Sequence, residues 1–124
     1  MNEFIAYLAA SLVALWGVAH AIPTAQVVAG FAPITVDNRR VLTQEWLAEA
    51  FTMWGVAAVI VVATAFGRPG SDVTVWVYRA VAGLLAALAV LTALTGARTR
   101  VIWFRVCPIL LGSSAALLLV ASLI

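Results

Sequence analysis

Four long apolar stretches, Phe4 to Ile22, Trp46 to Phe66, Val73 to Leu94 and Val101 to Ile124, dominate the chain. Only Glu49, Arg79 and Arg105 carry a formal charge inside them, and the remaining charges fall in the intervals or, for Glu3, just ahead of the first stretch. Each stretch is close to the roughly 20 residues that a helix needs to cross about 30 Å of hydrocarbon. The pattern predicts an all-α, integral membrane protein: an antiparallel four-helix bundle forming a single transmembrane domain over residues 1–124. The breaks between the stretches agree with this. Arg68-Pro69-Gly70-Ser71-Asp72 reads as a tight turn in which Ser71 or Asp72 caps the next helix. Gly96 stands where a C′ glycine would close the third helix, and Thr99 can cap the fourth. The first link, Pro23 to Asp37, is about fifteen residues long and too long for a simple turn. Its apolar part, Val27 to Phe31, is expected to lie in the interface or fold back over the bundle. Asp37 is the expected N-cap of the second helix, which then starts near Asn38, ahead of the membrane.

Composition sharpens the class. The chain of 124 residues is 65% hydrophobic and 10% charged, against about 25% charged in an ordinary soluble domain. A net charge of +2 does not mark a nucleic-acid partner, because the seven basic residues are all Arg and lie scattered. The single cysteine, Cys107, excludes an internal disulfide, a CxxC pair and a cysteine-based zinc site. Ala19-His20-Ala21 has the small-x-small form of a cleavage site, but Met1-Asn2-Glu3 brings an acid and no basic residue, so the first stretch reads as a span. With four spans, Arg39, Arg40, Arg98, Arg100 and Arg105 fall on one side and Arg68 and Arg79 on the other. The positive-inside rule then places the first and third links on the cytoplasmic side of the membrane, with both termini outside.

Chain direction gathers His20, Glu45, Glu49 and Arg105 at the cytoplasmic end. Ionisable groups at a bilayer margin are costly to hold there, which makes these four the candidate ligand-binding residues. Glu45 and Glu49 are four residues apart and share a helical face, with Glu49 the deeper. Glu49 and Arg105 form the expected charge pair, and His20 can donate to either carboxylate or take a proton near neutral pH. His20 shares its face with Trp16 and Val13, whereas Arg105 shares a small, polar stripe with Gly112 and Ser113. The same residues also fit a plain salt bridge that locks helices together. Pro108 interrupts the fourth helix beside them by removing the bond to the Phe104 carbonyl. At the opposite end Arg79 would pair with Glu3 or Asp72, or snorkel to the interface. Trp16, Trp46, Trp76 and Trp103 fit an interfacial aromatic belt. Ala6, Ala10 and Ala14, and Gly83 with Ala87, offer small faces for close helix contact, within the chain or in a homo-oligomer. No Gly-rich phosphate loop, HExxH or GxSxG motif occurs, and no metal site or catalytic residue is expected.

The run Trp16-Gly17-Val18-Ala19-His20-Ala21-Ile22-Pro23-Thr24 precedes Val27-Val28-x-Gly30-Phe31, Asp37-Asn38-Arg39-Arg40 and Glu45-Trp46-x-x-Glu49. Together with Cys107-Pro108, it resembles a group of small bacterial four-helix membrane proteins, loosely similar to the DoxX-like family. The resemblance implies the fold. Some DoxX-like proteins are linked to quinone-dependent sulfur oxidation or redox-defence complexes, although this chain lacks the first-helix Arg of DoxX proper. Three functions follow as expectations. The first is an accessory protein, not an enzyme, that binds a small amphiphile such as a quinone or lipid. The second is a proton-coupled transporter using Glu49, and the third a structural subunit of a membrane complex.

Overall fold

A computed structural model describes residues 2–31, 33–68 and 70–124. The described residues form α1 (Asn2–Ala21), α2 (Thr24–Ala29), α3 (Val36–Phe66), α4 (Asp72–Leu94) and α5 (Ile102–Ala121), with a single 3₁₀ turn at Gly96–Arg98 before α5. Four of these helices are long and apolar enough to cross a membrane. They coincide with the four apolar stretches of the sequence, and α2 is the addition.

Local chemistry sets the boundaries, in places differently from the sequence expectation. α3 begins at Val36, two residues before Asn38, because Thr35 is the N-cap and accepts a hydrogen bond from the Asn38 amide at 3.2 Å. Asp37 instead occupies the first turn, where it meets Arg40 at 3.6 Å on an exposed face. Ser71 caps α4 by accepting from the Thr74 amide at 3.3 Å. Pro69 of the preceding turn lies outside the described residues. Gly70 takes φ 71°, a left-handed conformation that favours glycine, and the Ser71 amide bonds back to the Arg68 carbonyl. α4 ends with Thr95 as its C-cap, so Gly96 does stand just beyond the helix. Thr99 is not the N-cap of α5; that position is Val101, which offers no side-chain cap. Pro108 lies within α5 and can give the Phe104 carbonyl no amide donor.

α1 packs along α3 on one side and α5 on the other, and α4 packs along α5. α3 and α4 touch far less, although only a short turn joins them. The core between them is built of Ala6, Ala9, Val13, Met53, Ile60, Leu85, Leu111 and Leu118. Ala6 and Ala10 are buried by the chain's own helices, while Gly83 and Ala87 face outward. Trp54, exposed on α3, lies across Gly17 and donates to the Ala14 carbonyl at 3.2 Å. A Cβ on Gly17 would stand 2.7 Å from the Trp54 Nε1, so the ring reaches α1 only because residue 17 has no side chain.

The link between α1 and α3 folds back. α2 packs on α3, with Thr24 and Val28 buried. The Thr24 hydroxyl donates to the Ala21 carbonyl at 2.6 Å and so fixes the reversal at the end of α1.

Candidate functional site

The residues at the C-terminal end of α1 build the site. His20 is 7% exposed, and its Nε2 lies 3.2 Å from Oε2 of Glu49 on α3. The atoms are close enough for an ion pair, yet their alignment falls short of a hydrogen bond. Trp46 holds His20 in two ways. Its ring stacks on the imidazole with centroids 4.1 Å apart and planes 13° from parallel. Its indole N–H donates to the His20 carbonyl at 2.8 Å. Carbonyls in the last turn of a helix lack an amide partner, so this indole serves as a C-terminal cap for α1. Phe104 of α5 meets Trp46 in an edge arrangement, with centroids 5.8 Å apart.

These rings wall an apolar cavity of about 650 Å³. Trp16, His20, Trp46 and Phe104 contribute from the long helices, and Val27 and Phe31 from the folded-back link. The size and the mixture of apolar walls with few polar groups suit a small-molecule site. Among the described residues, Trp16 Nε1 and His20 Nε2 are buried without a hydrogen-bond partner. Both residues line this cavity.

Of the four residues singled out in the sequence, the structure joins only two. His20 and Glu49 meet, and His20 alone of the four lines the cavity. Glu45, one turn from Glu49, is exposed and has no ion pair or side-chain hydrogen bond among the described residues. Arg105 is also exposed and turns back to donate to the Thr99 carbonyl at 3.3 Å. The Glu49–Arg105 pair therefore does not form. Chain direction puts both residues at the same end, but Arg105 points outward with Ser113, while Cys107 and Leu111 form the inner face of α5.

The tryptophans need a similar correction. Trp76 and Trp103 are exposed as a belt requires. Trp16, by contrast, is core and Trp46 is part of the site. Trp46 could have been found by its place between two acids and one turn from Glu49; the Trp16 donor leaves no such trace.

A second, smaller cavity of about 220 Å³ lies where the other helix ends meet, among Glu3, Thr64, Thr74, Tyr78 and Ser122. Its hydroxyls are already paired: Thr64 with Tyr78 at 2.8 Å, Ser71 with Thr74 at 3.0 Å, and Ser122 with the Leu119 carbonyl at 2.7 Å. Arg79 binds neither Glu3 nor Asp72 but donates to Ser122 at 3.5 Å and lies over the Trp76 ring at 5.4 Å. Satisfied groups of this kind brace helix ends.

Among the described residues no cluster of three or more His, Cys, Asp or Glu side chains could hold a metal ion. The chain matches no family model, no curated protein and no solved structure.

Proposed function

We propose that this chain is an integral membrane, antiparallel four-helix bundle that binds a small amphiphile in the aromatic cavity, as an accessory protein rather than an enzyme. The observation that carries the reading is the cavity itself: about 650 Å³ of mainly apolar wall, with the buried His20 at its edge. A ring or head group would lie against Trp46 and Phe104, and an apolar tail would continue between helices or into lipid. A quinone or a lipid has this form. The DoxX-like resemblance of the Trp16 to Glu49 region supports the fold in this proposal and not the ligand, since the chain lacks the first-helix Arg of DoxX proper. Meeting of alternate helix ends at the two cavities supports the antiparallel arrangement, and the arginines around the first and third links support a cytoplasmic position for this end, in a bacterial inner membrane with both termini outside. A proton-coupled transporter is less well supported, because Glu49 lies one turn from Trp46, near a single end of the spanning part of α3.

Organic extraction of the purified protein followed by mass spectrometry tests the reading. Wild-type protein is expected to release an amphiphile that Ala19→Trp, which fills the cavity from its edge, does not. Extracts that are equally free of ligand, with no thermal stabilisation by added quinones or lipids, would defeat it.

A further inference from the structure

We infer that the occupant of the aromatic cavity is an anionic phospholipid, with an acyl tail in the cavity and its phosphate held by Arg98, Arg100 and Arg105; this rests on the binding role proposed above and narrows its ligand class. Val101, Trp103 and Phe104 form one wall of the cavity. Arg100 immediately precedes that stretch and Arg105 immediately follows it. The Arg105 guanidinium turns back to donate to the Thr99 carbonyl at 3.3 Å, which brings it to the link that carries Arg98 and Arg100. Three cations thus gather at one rim, all exposed and none in an ion pair among the described residues. The acids at this end of α3 do not reach them. Glu49 meets His20 at 3.2 Å, Asp37 meets Arg40 at 3.6 Å, and Glu45 meets no cation among the described residues. The rim is net positive, and a phosphate is the partner that an arginine cluster at a membrane surface attracts.

The edges of the cavity narrow the class further. Ile22 is 78% exposed, Trp103 65% and Phe31 49%, and all three line the cavity. Exposed apolar edges open it towards hydrocarbon, since facing water would cost these side chains their favourable transfer. An amphipathic ring such as that of Trp103 sits at the head-group level of a bilayer. Arg98 and Arg100 precede it on the outward side, at the depth of lipid phosphates. The glyceryl part of a phospholipid then lies against Trp46 and Phe104, with one tail continuing along the apolar wall. Free phosphate would leave that wall empty, and a neutral quinone would leave the arginines unmatched. An ammonium on the head would stand among three guanidinium groups with only Glu45 to offset them, so the rim favours a lipid with a net negative charge.

Native mass spectrometry of the protein in detergent, titrated with dioleoyl phosphatidylglycerol, phosphatidylethanolamine or phosphatidylcholine, reads the affinity of the first bound lipid. Phosphatidylglycerol is expected to bind roughly three- to tenfold more tightly than either zwitterionic lipid. Arg98→Gln with Arg100→Gln should remove that preference. Arg39→Gln with Arg40→Gln takes the same charge from the same end of the molecule and should keep it. Unchanged phosphatidylcholine affinity in both double variants reports that they are folded. Ala19→Trp should weaken all three lipids, which ties them to the cavity. Equal affinities, a preference for phosphatidylethanolamine, or equal loss in the two double variants overturns the inference while leaving the cavity a binding site. So does competition by glycerophosphoglycerol, the head without tails, or binding of decylubiquinone where no phospholipid binds. If neither phospholipids nor decylubiquinone bind the wild type more tightly than Ala19→Trp, the binding role itself fails.

Discussion

Trp46 connects the end of α1 to α3 through a stacked imidazole and a capped carbonyl, and each contact can be removed separately. Trp46→Phe keeps an aromatic ring and loses the indole donor, so a cost of about 1 kcal/mol is expected in detergent unfolding. Gly17→Ala must displace the Trp54 ring from its bond to Ala14. It should destabilise by about 1–3 kcal/mol, and Trp54→Ala should make the same change much milder, as scored by thermal unfolding of the single and double variants. A double-mutant cycle separates the two pairings of Glu49. Coupling of roughly 0.5 kcal/mol or more is expected between His20→Gln and Glu49→Gln, and none beyond error between Glu49→Gln and Arg105→Gln. Measurable coupling to Arg105 would mean that its side chain leaves Thr99 for Glu49. The sequence placed these charged residues at the right end but not on the right side. In a helix that is apolar all round, hydropathy does not tell the inner face from the outer. Depth was therefore legible and azimuth was not: the sequence grouped all four residues, but only His20 and Glu49 meet, while Glu45 and Arg105 are exposed.

At the level of elements the sequence is far more informative. Every long helix sits on its apolar stretch, since length and hydropathy do not depend on helix rotation. Boundaries are set by single side chains, and competing caps made them harder to read. Thr35 and Asp37 both suit an N-cap, and the structure uses the one whose hydroxyl reaches the amide three residues on. Thr35→Ala should cost about 0.5–2 kcal/mol of helix-end stability, seen as faster amide exchange at residues 36–40, with Asp37→Ala changing much less. The 31 residues of α3 extend about 46 Å, well beyond the roughly 30 Å of a hydrocarbon core. Its charged first ten residues are the natural excess. The link that precedes it was recognisable as more than a turn by its length and apolar content. The six-residue α2 within it was not, because so short a helix depends on its packing against α3 rather than on its own periodicity.

At the scale of the whole molecule, topology is the nearest test. In a Cys107→Ser background, a cysteine at Arg40 should react with an impermeant thiol reagent only after the membrane is opened from intact cells, and one at Asp72 should react without opening. The reverse pattern would invert the orientation inferred from the arginines. The unequal packing of the long helices has a further consequence, for the order in which the chain assembles. α1 and α3 are partners and emerge early, so they can pair while the rest is still being made. α4 follows at once but gains little from α3, and the helix it does pack on is α5, which appears only after it. A chain stopped after Leu94 would leave α4 without its main partner and the C-terminal side of the core missing, including Leu111 and Leu118. Such truncated chains should insert and yet remain open to quality-control proteases, whereas adding α5 as a separate peptide should restore protection. Stable packing of α4 would then wait on the twenty residues of α5.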